Sequence, residues 1–511
     1  MNILPFLCAA FLLINPVLLA VFRRLEIQLE KLQFWIMVST GSAWIFSGIF
    51  LFLNPQSQLN PIWNAGEELL PSLAFSLDWV SAALSLSVCS ALFYLVLTRQ
   101  ESPWENALLS GLSGVSLLAL FADSAYSVAL FWAAVELFHF SLSLPEPEQR
   151  GFSTINLTGI LVRLTAPALL ILVSLTGSGT DTSPFLTEWK QSEAYPLLLG
   201  GFVGFIGWFL DSPILTGGSE GSPRSIFQVW IPSTLGLALM IRGGILLDGN
   251  PGSSTLPIIL AILLILAAAG SVLLDTTAKW WFTGSGLLVA GSAALGHPAS
   301  ALSWAMVFML PGCLLWSEKD KVHPAALVLG IGGLGVLPMP YLPAWSGSVV
   351  FQMTLPGILL ACGSGIFMGA LVIAVLKSLP RKEEEKAAPP PLSMIGSGIL
   401  ILSQVLIAFQ LGLLEASQGL FSKPAAVWFT PLMVIVVQII GNWVPLGSRE
   451  PIKVRMMRSI VWLRRSLAGG FQIIRRIVDF LSDLLEGEGG LIWVLLFGFL
   501  LITLISLRGG R

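Results

Sequence analysis

The stretch SLLALFADSAYSVALFWAAVELFHFSL, residues 116–142, decides how the chain is read. One apolar run ends at Phe121, the triplet Ala122-Asp123-Ser124 interrupts it, and a second apolar run carries on to Leu142. The apolar residues of the second run neither alternate with period two nor keep to one helical stripe, so a half-buried strand and a soluble surface helix both fit poorly. Two helices crossing a bilayer fit well, since each needs about 20 mostly apolar residues. Hydrocarbon offers the backbone no hydrogen-bonding partner, so a spanning segment has to satisfy its own N–H and C=O groups. Glu136 and His139 stand three residues apart in the second run and therefore share one face of its helix.

The same pattern recurs along the chain. Of its 511 residues 55% are hydrophobic and 11% charged, whereas an average soluble protein has about 25% charged residues. Apolar windows at 3–22, 34–53, 76–98, 106–121, 124–145, 154–175, 196–210, 226–247, 256–274, 281–298, 301–316, 324–343, 349–377, 392–415, 424–446 and 491–508 predict an all-α polytopic membrane protein with about 15–16 transmembrane helices. The first window lacks a basic start and a small-residue cleavage site, and Arg23-Arg24 follow it, so it reads as a retained helix. With Lys+Arg 27 against Asp+Glu 29, the charge balance gives no basic excess that would suggest nucleic acid. Cys8, Cys89, Cys313 and Cys362 lie singly in apolar runs, which excludes a disulfide framework and metal-ligand spacing.

Basic residues collect in alternate connections: Arg23, Arg24 and Lys31, then Arg99, Arg150, Arg224, Lys279, Lys319 with Lys321, and Arg381 with Lys382 and Lys386. Basic residues near span ends are retained in the cytoplasm, so the N-terminus is expected outside a cell (inner) membrane. The run RKEEEKAAPPP at 381–391 reads as a linker. The expected organisation is N-terminal helices over 1–105, one repeat over 106–247, a second over 255–380, the linker 381–391 and further membrane helices over 392–446. A lateral amphipathic helix over 450–488 and a terminal anchor over 491–511 follow. In that lateral helix Ile452, Met456, Ile460, Leu463, Leu467, Phe471 and Ile474 form an apolar stripe, while Arg455, Arg458, Arg464, Arg465, Arg475 and Arg476 lie off it. Such a helix lies along a surface, either of lipid or of neighbouring protein.

Charged groups inside spans are costly and call for partners. Arg163, in GILVRLTAP of the sixth window, is placed to pair with Glu136; the three residues Glu136, His139 and Arg163 form either a proton relay or a buried pair that fixes helix packing. Asp78 is expected to cap the start of the third span. Asp123, Asp275 and Lys279 are expected to be solvated at span ends, and Arg242 to be a lone residue near the outer surface. Two stretches rich in Gly and Pro, 207–224 and 330–347, suggest either broken helices lining a path or ordinary turns with close helix packing.

In order and spacing these segments resemble the antiporter-like membrane subunits of respiratory complex I, which are related to Mrp-type cation/proton antiporters and membrane-bound hydrogenase subunits. LAFSLDWVSAALSLSV resembles that family's third-span segment, and Glu136 takes the place of its fifth-span acid. GWFLDSP and VLGIGGLGVLPMPYLPAW resemble its two interrupted regions, and the basic C-terminal helix resembles the lateral helix of its longest member. The resemblance implies two inverted five-helix repeats with broken helices, assembly with other membrane subunits of a complex I-like or hydrogenase-like complex in a lipid bilayer, and no cofactor or metal of its own. Quinone, flavin and iron–sulfur centres are left to partner subunits, so the chain is at most a non-redox subunit of an NADH-quinone oxidoreductase-type translocase.

The departures are specific. The family pairs its fifth-span glutamate with a lysine in the seventh; here PLLLGGFVGFIGWFL has none, and Leu199 falls near that position. Gln228 and Thr234 stand near a family histidine and lysine, and HPASALSWAMVF keeps His297 but has Ser303 and Trp304 where a lysine is expected. Gln228, Thr234 and His297 are thus the remaining members of a possible polar path. The implied function is an antiporter-like membrane-arm subunit of a proton-translocating oxidoreductase whose own proton path is degenerate. A non-conducting structural or assembly scaffold and a stand-alone Mrp-type cation/proton antiporter are the alternative readings.

Overall fold

Helices account for nearly all the regular structure, as the unbroken apolar windows require. The computed structural model describes residues 3–25, 29–53, 57–59, 74–98, 103–143, 157–176, 186, 189–211, 223–247, 249, 255–274, 277–317, 343–378, 391–410 and 429–443. Its helices are α1 Leu4–Arg24, α2 Leu29–Phe52, α3 Trp79–Thr98, α4 Pro103–Phe121, α5 Ala125–Ser143, α6 Leu157–Thr176, α7 Ala194–Asp211 and α8 Pro223–Leu247. They continue with α9 Thr255–Leu274, α10 Thr277–Ala294, α11 Pro298–Ser317, the short α12 Pro343–Gly347, α13 Leu355–Ser378, α14 Pro391–Gln410 and α15 Phe429–Trp443. Each long helix coincides with a predicted window to within a few residues. By length and composition, α1, α2 from Lys31 onward, α3, α4 and α8 from Phe227 onward can cross a membrane. The windows at 324–343 and 491–508, the linker up to residue 390 and the lateral helix lie outside the described residues.

One element departs from the expected loop after α2. Strand β1, Ser57–Leu59, pairs antiparallel with β2, Phe75–Leu77, and Phe75 also bridges to Ala122 beyond α4. A pair of three-residue strands is too short to leave an alternating signature in sequence.

Hydrophobicity drives helices into a membrane but not against each other, so their association rests on close packing and hydrogen bonds. Both are visible. Asn15 of α1 donates to Ser110 Oγ of α4 at 2.7 Å and accepts from Ser39 Oγ of α2 at 2.9 Å, which locks three helices through one amide. Ser403 of α14 accepts from Trp44 Nε1 at 2.9 Å and from Ser90 Oγ at 2.8 Å, so a helix from beyond the linker packs against α2 and α3. Helix α3 has almost no exposed side, in keeping with a sequence that carries no charge on any face.

The glycines of PLLLGGFVGFIGWFL serve such packing. A Cβ at Gly201 would stand 2.7 Å from Gly236 O of α8, and one at Gly236 would stand 2.6 Å from Gly201 O, so the α7 and α8 backbones touch at their crossing. Replacing Gly201 by valine should destabilise the fold by about 1–3 kcal/mol through overpacking. A thermal melt of the detergent-solubilised protein would check this, with Gly48, which has open space around it, replaced by alanine as the control.

Candidate functional site

Among the described residues, two charged clusters lie inside the bundle. The first joins α5, α6 and α7. Arg163 has no exposed surface, and its Nε donates to Glu136 Oε1 at 2.6 Å while Nη2 donates to Oε2 at 2.7 Å. This is a two-pronged pairing of a planar guanidinium with a carboxylate, the strongest charge-assisted geometry available to side chains. The guanidinium carbon also stands 4.0 Å from the centroid of the Trp208 ring, and Nη1 approaches Gly207 O at 3.5 Å. His139 meets the same indole edge-on, at 5.0 Å between centroids.

Glycine makes this arrangement possible. A Cβ at Gly207 would fall 2.5 Å from Arg163 Cγ and 2.9 Å from its backbone N, and one at Gly204 would fall 2.5 Å from the Trp132 ring. Glycines 204 and 207 therefore let α7 come close enough to seat α6 and Trp132 of α5. In the stretch 207–224 the described glycine, Gly207, serves helix packing.

Leu199, placed by sequence near the family's lysine, is 54% exposed and turned away from the bundle interior. The cation that faces Glu136 comes from α6 instead. Where α7, α8, α10 and α11 meet, aromatic rings occupy the interior. Phe205 stacks on Phe282 at 4.5 Å, Trp230 stacks on Phe308 at 4.4 Å, and Phe308 meets Phe282 edge-on at 5.2 Å.

The other sequence-predicted residues are dispersed. Gln228 is half-buried on α8. Thr234 is fully buried, and its hydroxyl donates to Ile231 O at 2.6 Å, as Ser233 does to Trp230 O, next to Pro232. These hydroxyls support backbone carbonyls of their own helix around a residue that disturbs its ladder. Ser303 likewise donates to Ala299 O, and Trp304 donates from Nε1 to Gly347 O at 3.1 Å, which ties α12 to α11. His297 sits in the turn between α10 and α11, 3.1 Å from Gln352 Nε2.

The second cluster corrects two expectations. Arg242 is neither lone nor superficial: it is 3% exposed and pairs through Nε with Asp78 Oδ2 at 3.3 Å. Asp123 is completely buried rather than solvated. Its backbone N–H donates to Ala74 O at 2.9 Å, and its carbonyl accepts from Leu186 N. Asp78 does cap α3, accepting from the Ser81 backbone N–H at 2.7 Å. Asp275 and the Lys279 side chain lie outside the described residues.

Neither a protein-family model nor a curated protein matches the sequence. Solved structures do. A chain in the structure of the Mrp complex from Dietzia sp. DQ12-45-1b superposes with a TM-score of 0.68 at 13% identity over 100% of this chain. This chain spans 63% of that one's length. The two chains share a fold. A chain of the membrane-bound sulfane sulfur reductase, an archaeal respiratory membrane complex, gives 0.62 at 14% identity over 98% of this chain and 99% of that one. A chain of respiratory complex I from Thermus thermophilus gives 0.59 at 15% identity, over 79% and 97%. Each is a chain of a multi-subunit membrane complex, and the present chain is a polytopic membrane protein of the same architecture.

Two predictions follow from the charges. Replacing Glu136 by glutamine leaves the Arg163 guanidinium buried without its counter-charge and should destabilise the protein by about 3–5 kcal/mol. The paired change Glu136→Gln with Arg163→Met should cost much less, and thermal melts of the two variants compare them. In the connecting turn, burial pushes His297 below the usual histidine range. A folded-state pKa below the unfolded one means that the unfolded chain takes up the proton first, so stability is full above the ordinary value of about 6.5 and declines as pH falls below it. Replacing His297 by glutamine should flatten the melting temperature against pH between about 6.5 and 5.

Proposed function

We propose that this chain is an antiporter-like membrane-arm subunit of a complex I-like or hydrogenase-like proton-translocating assembly, in the cell inner membrane, and that its own proton path is degenerate. The observation that carries the reading is the Glu136–Arg163 pair. A relay has to take up and release protons in turn, which a lysine facing a glutamate can do. An arginine does not give up its proton under protein conditions, so a carboxylate gripped at both oxygens by a guanidinium is a fixed ion pair.

The aromatic junction of Phe205, Trp230, Phe282 and Phe308 supports the same reading. Ions crossing an apolar interior meet a desolvation cost of several kcal/mol each, and apolar cavities stay dry. Thr234 and Ser303 have committed their hydroxyls to their own helices. Of the residues expected from sequence on a polar path, Gln228 and His297 remain, too few for a continuous wire. The junction also favours a non-conducting scaffold over a stand-alone Mrp-type cation/proton antiporter. In this role Glu136, Arg163 and His139 fix the α5–α6–α7 packing, other membrane subunits are the partners, and electron-transfer cofactors belong to them. The N-terminus is outside, and the lateral helix over 450–488 holds the chain to its surroundings.

The test is proton pumping by the intact assembly in sealed vesicles. The paired variant Glu136→Gln with Arg163→Met should leave the number of protons moved per electron unchanged when the assembly remains complete. A reduced proton count in a complete assembly would mean that the pair is a relay after all.

A further inference from the structure

The Asp78 cluster lies apart from Glu136 and from the aromatic junction. Arg242 comes from the last turns of α8 and reaches two other helices at once, the start of α3 and the end of α4. Its Nη1 donates to Ala122 O at 2.9 Å, and its Nη2 donates to Leu120 O at 2.9 Å and to Ser81 Oγ at 3.1 Å, in addition to the Asp78 pairing through Nε. The last carbonyls of a helix have no partner within it, and here those closing α4 receive one guanidinium. Asp78, in turn, holds one of the free first-turn N–H groups of α3, that of Ser81, and accepts the Ser81 hydroxyl through the same oxygen. The cation therefore sits at the negative end of α4 and the anion at the positive end of α3, each favoured by the helix dipole.

Around this cluster the chain is closed. Phase by phase along α3, Asp78 keeps 18% of its side chain exposed, whereas Ser81 and Ser85, one and two turns further in, are each 1% exposed. Strand β2 and the buried Asp123 turn border the same place, joined by the Phe75–Ala122 bridge and the bond from Asp123 N to Ala74 O. Exposure along this face of α3 thus falls sharply between Asp78 and Ser81, where Arg242 lies.

We propose that Asp78, Ser81 and Arg242 form a seal that closes this end of the bundle to water and pins α8 lengthwise against α3 and α4. The seal needs arginine, because a lysine ammonium is a single point and does not span the carboxylate, the hydroxyl and two carbonyls together. It operates whether or not the chain carries protons, so it stands apart from the function proposed above.

The experiment uses the full-length protein in detergent, with Cys8, Cys89, Cys313 and Cys362 replaced by alanine and Ser85 by cysteine, and measures labelling by a bulky hydrophilic maleimide. With Arg242 in place the introduced thiol should label slowly; Arg242→Gln should speed labelling tenfold or more, and Arg242→Lys should give an intermediate rate. The proposal is overturned by fast labelling with Arg242 present, or by an unchanged slow rate in an Arg242→Gln protein that elutes as a folded species. Should that variant fail to accumulate, Asp78→Asn keeps three of the four arginine contacts and is read in the same way: faster labelling supports the seal and an unchanged rate overturns it.

Discussion

A guanidinium with no exposed surface has to be paired where it lies, and Arg163 sets the terms for the first half of the bundle. Its five N–H groups need acceptors that lipid does not supply, and Glu136 supplies two of them in the fork geometry. The pairing holds α5 to α6. Gly207 brings the α7 backbone against Arg163, and the Trp208 ring covers the guanidinium, so the same charge also fixes α7. Through the glycine crossing at Gly201 and Gly236, α7 fixes α8. A single ion pair and a few missing Cβ atoms thus propagate through four helices.

Beyond that crossing, shape replaces charge. Phe205, Trp230, Phe282 and Phe308 fill the meeting point of α7, α8, α10 and α11 with rings in stacked and edge-on contact, arrangements that aromatic quadrupoles favour. Aromatic rings at that place bring close packing. The polar side chains nearby mostly repair their own helices, as Thr234 does beside Pro232 and Ser303 does in α11.

Much of this was legible in the sequence. Helix positions followed from apolar length alone, because lipid forces the backbone to close its hydrogen bonds within each segment. The nearness of Glu136 and Arg163 was readable because two unlike charges in adjacent spans have few other partners. Asp78 was readable as a cap from its place before an apolar run. Arg242, by contrast, looked isolated, since its partners are a carboxylate 164 residues away and carbonyls that every residue possesses. Asp123 looked solvated because it stands at a span end, and only the fold shows β2 and Leu186 brought over it. The outward facing of Leu199 was not legible either: a helix apolar on all sides carries no phase, so nothing in its composition says which residue faces inward.

The sequence by itself determined that the chain is a bundle of membrane helices, roughly where each begins and ends, and which few residues bring charge into it. Those facts depend on local length and polarity, which a bilayer reads one segment at a time. Tertiary structure alone decided that the Trp208 ring of α7 covers Arg163, that aromatic rings occupy the α7–α8–α10–α11 junction, and that Arg242 joins α3, α4 and α8. Those facts depend on the rotation of each helix about its axis and on which backbones approach closely, quantities set by the mutual fit of distant segments.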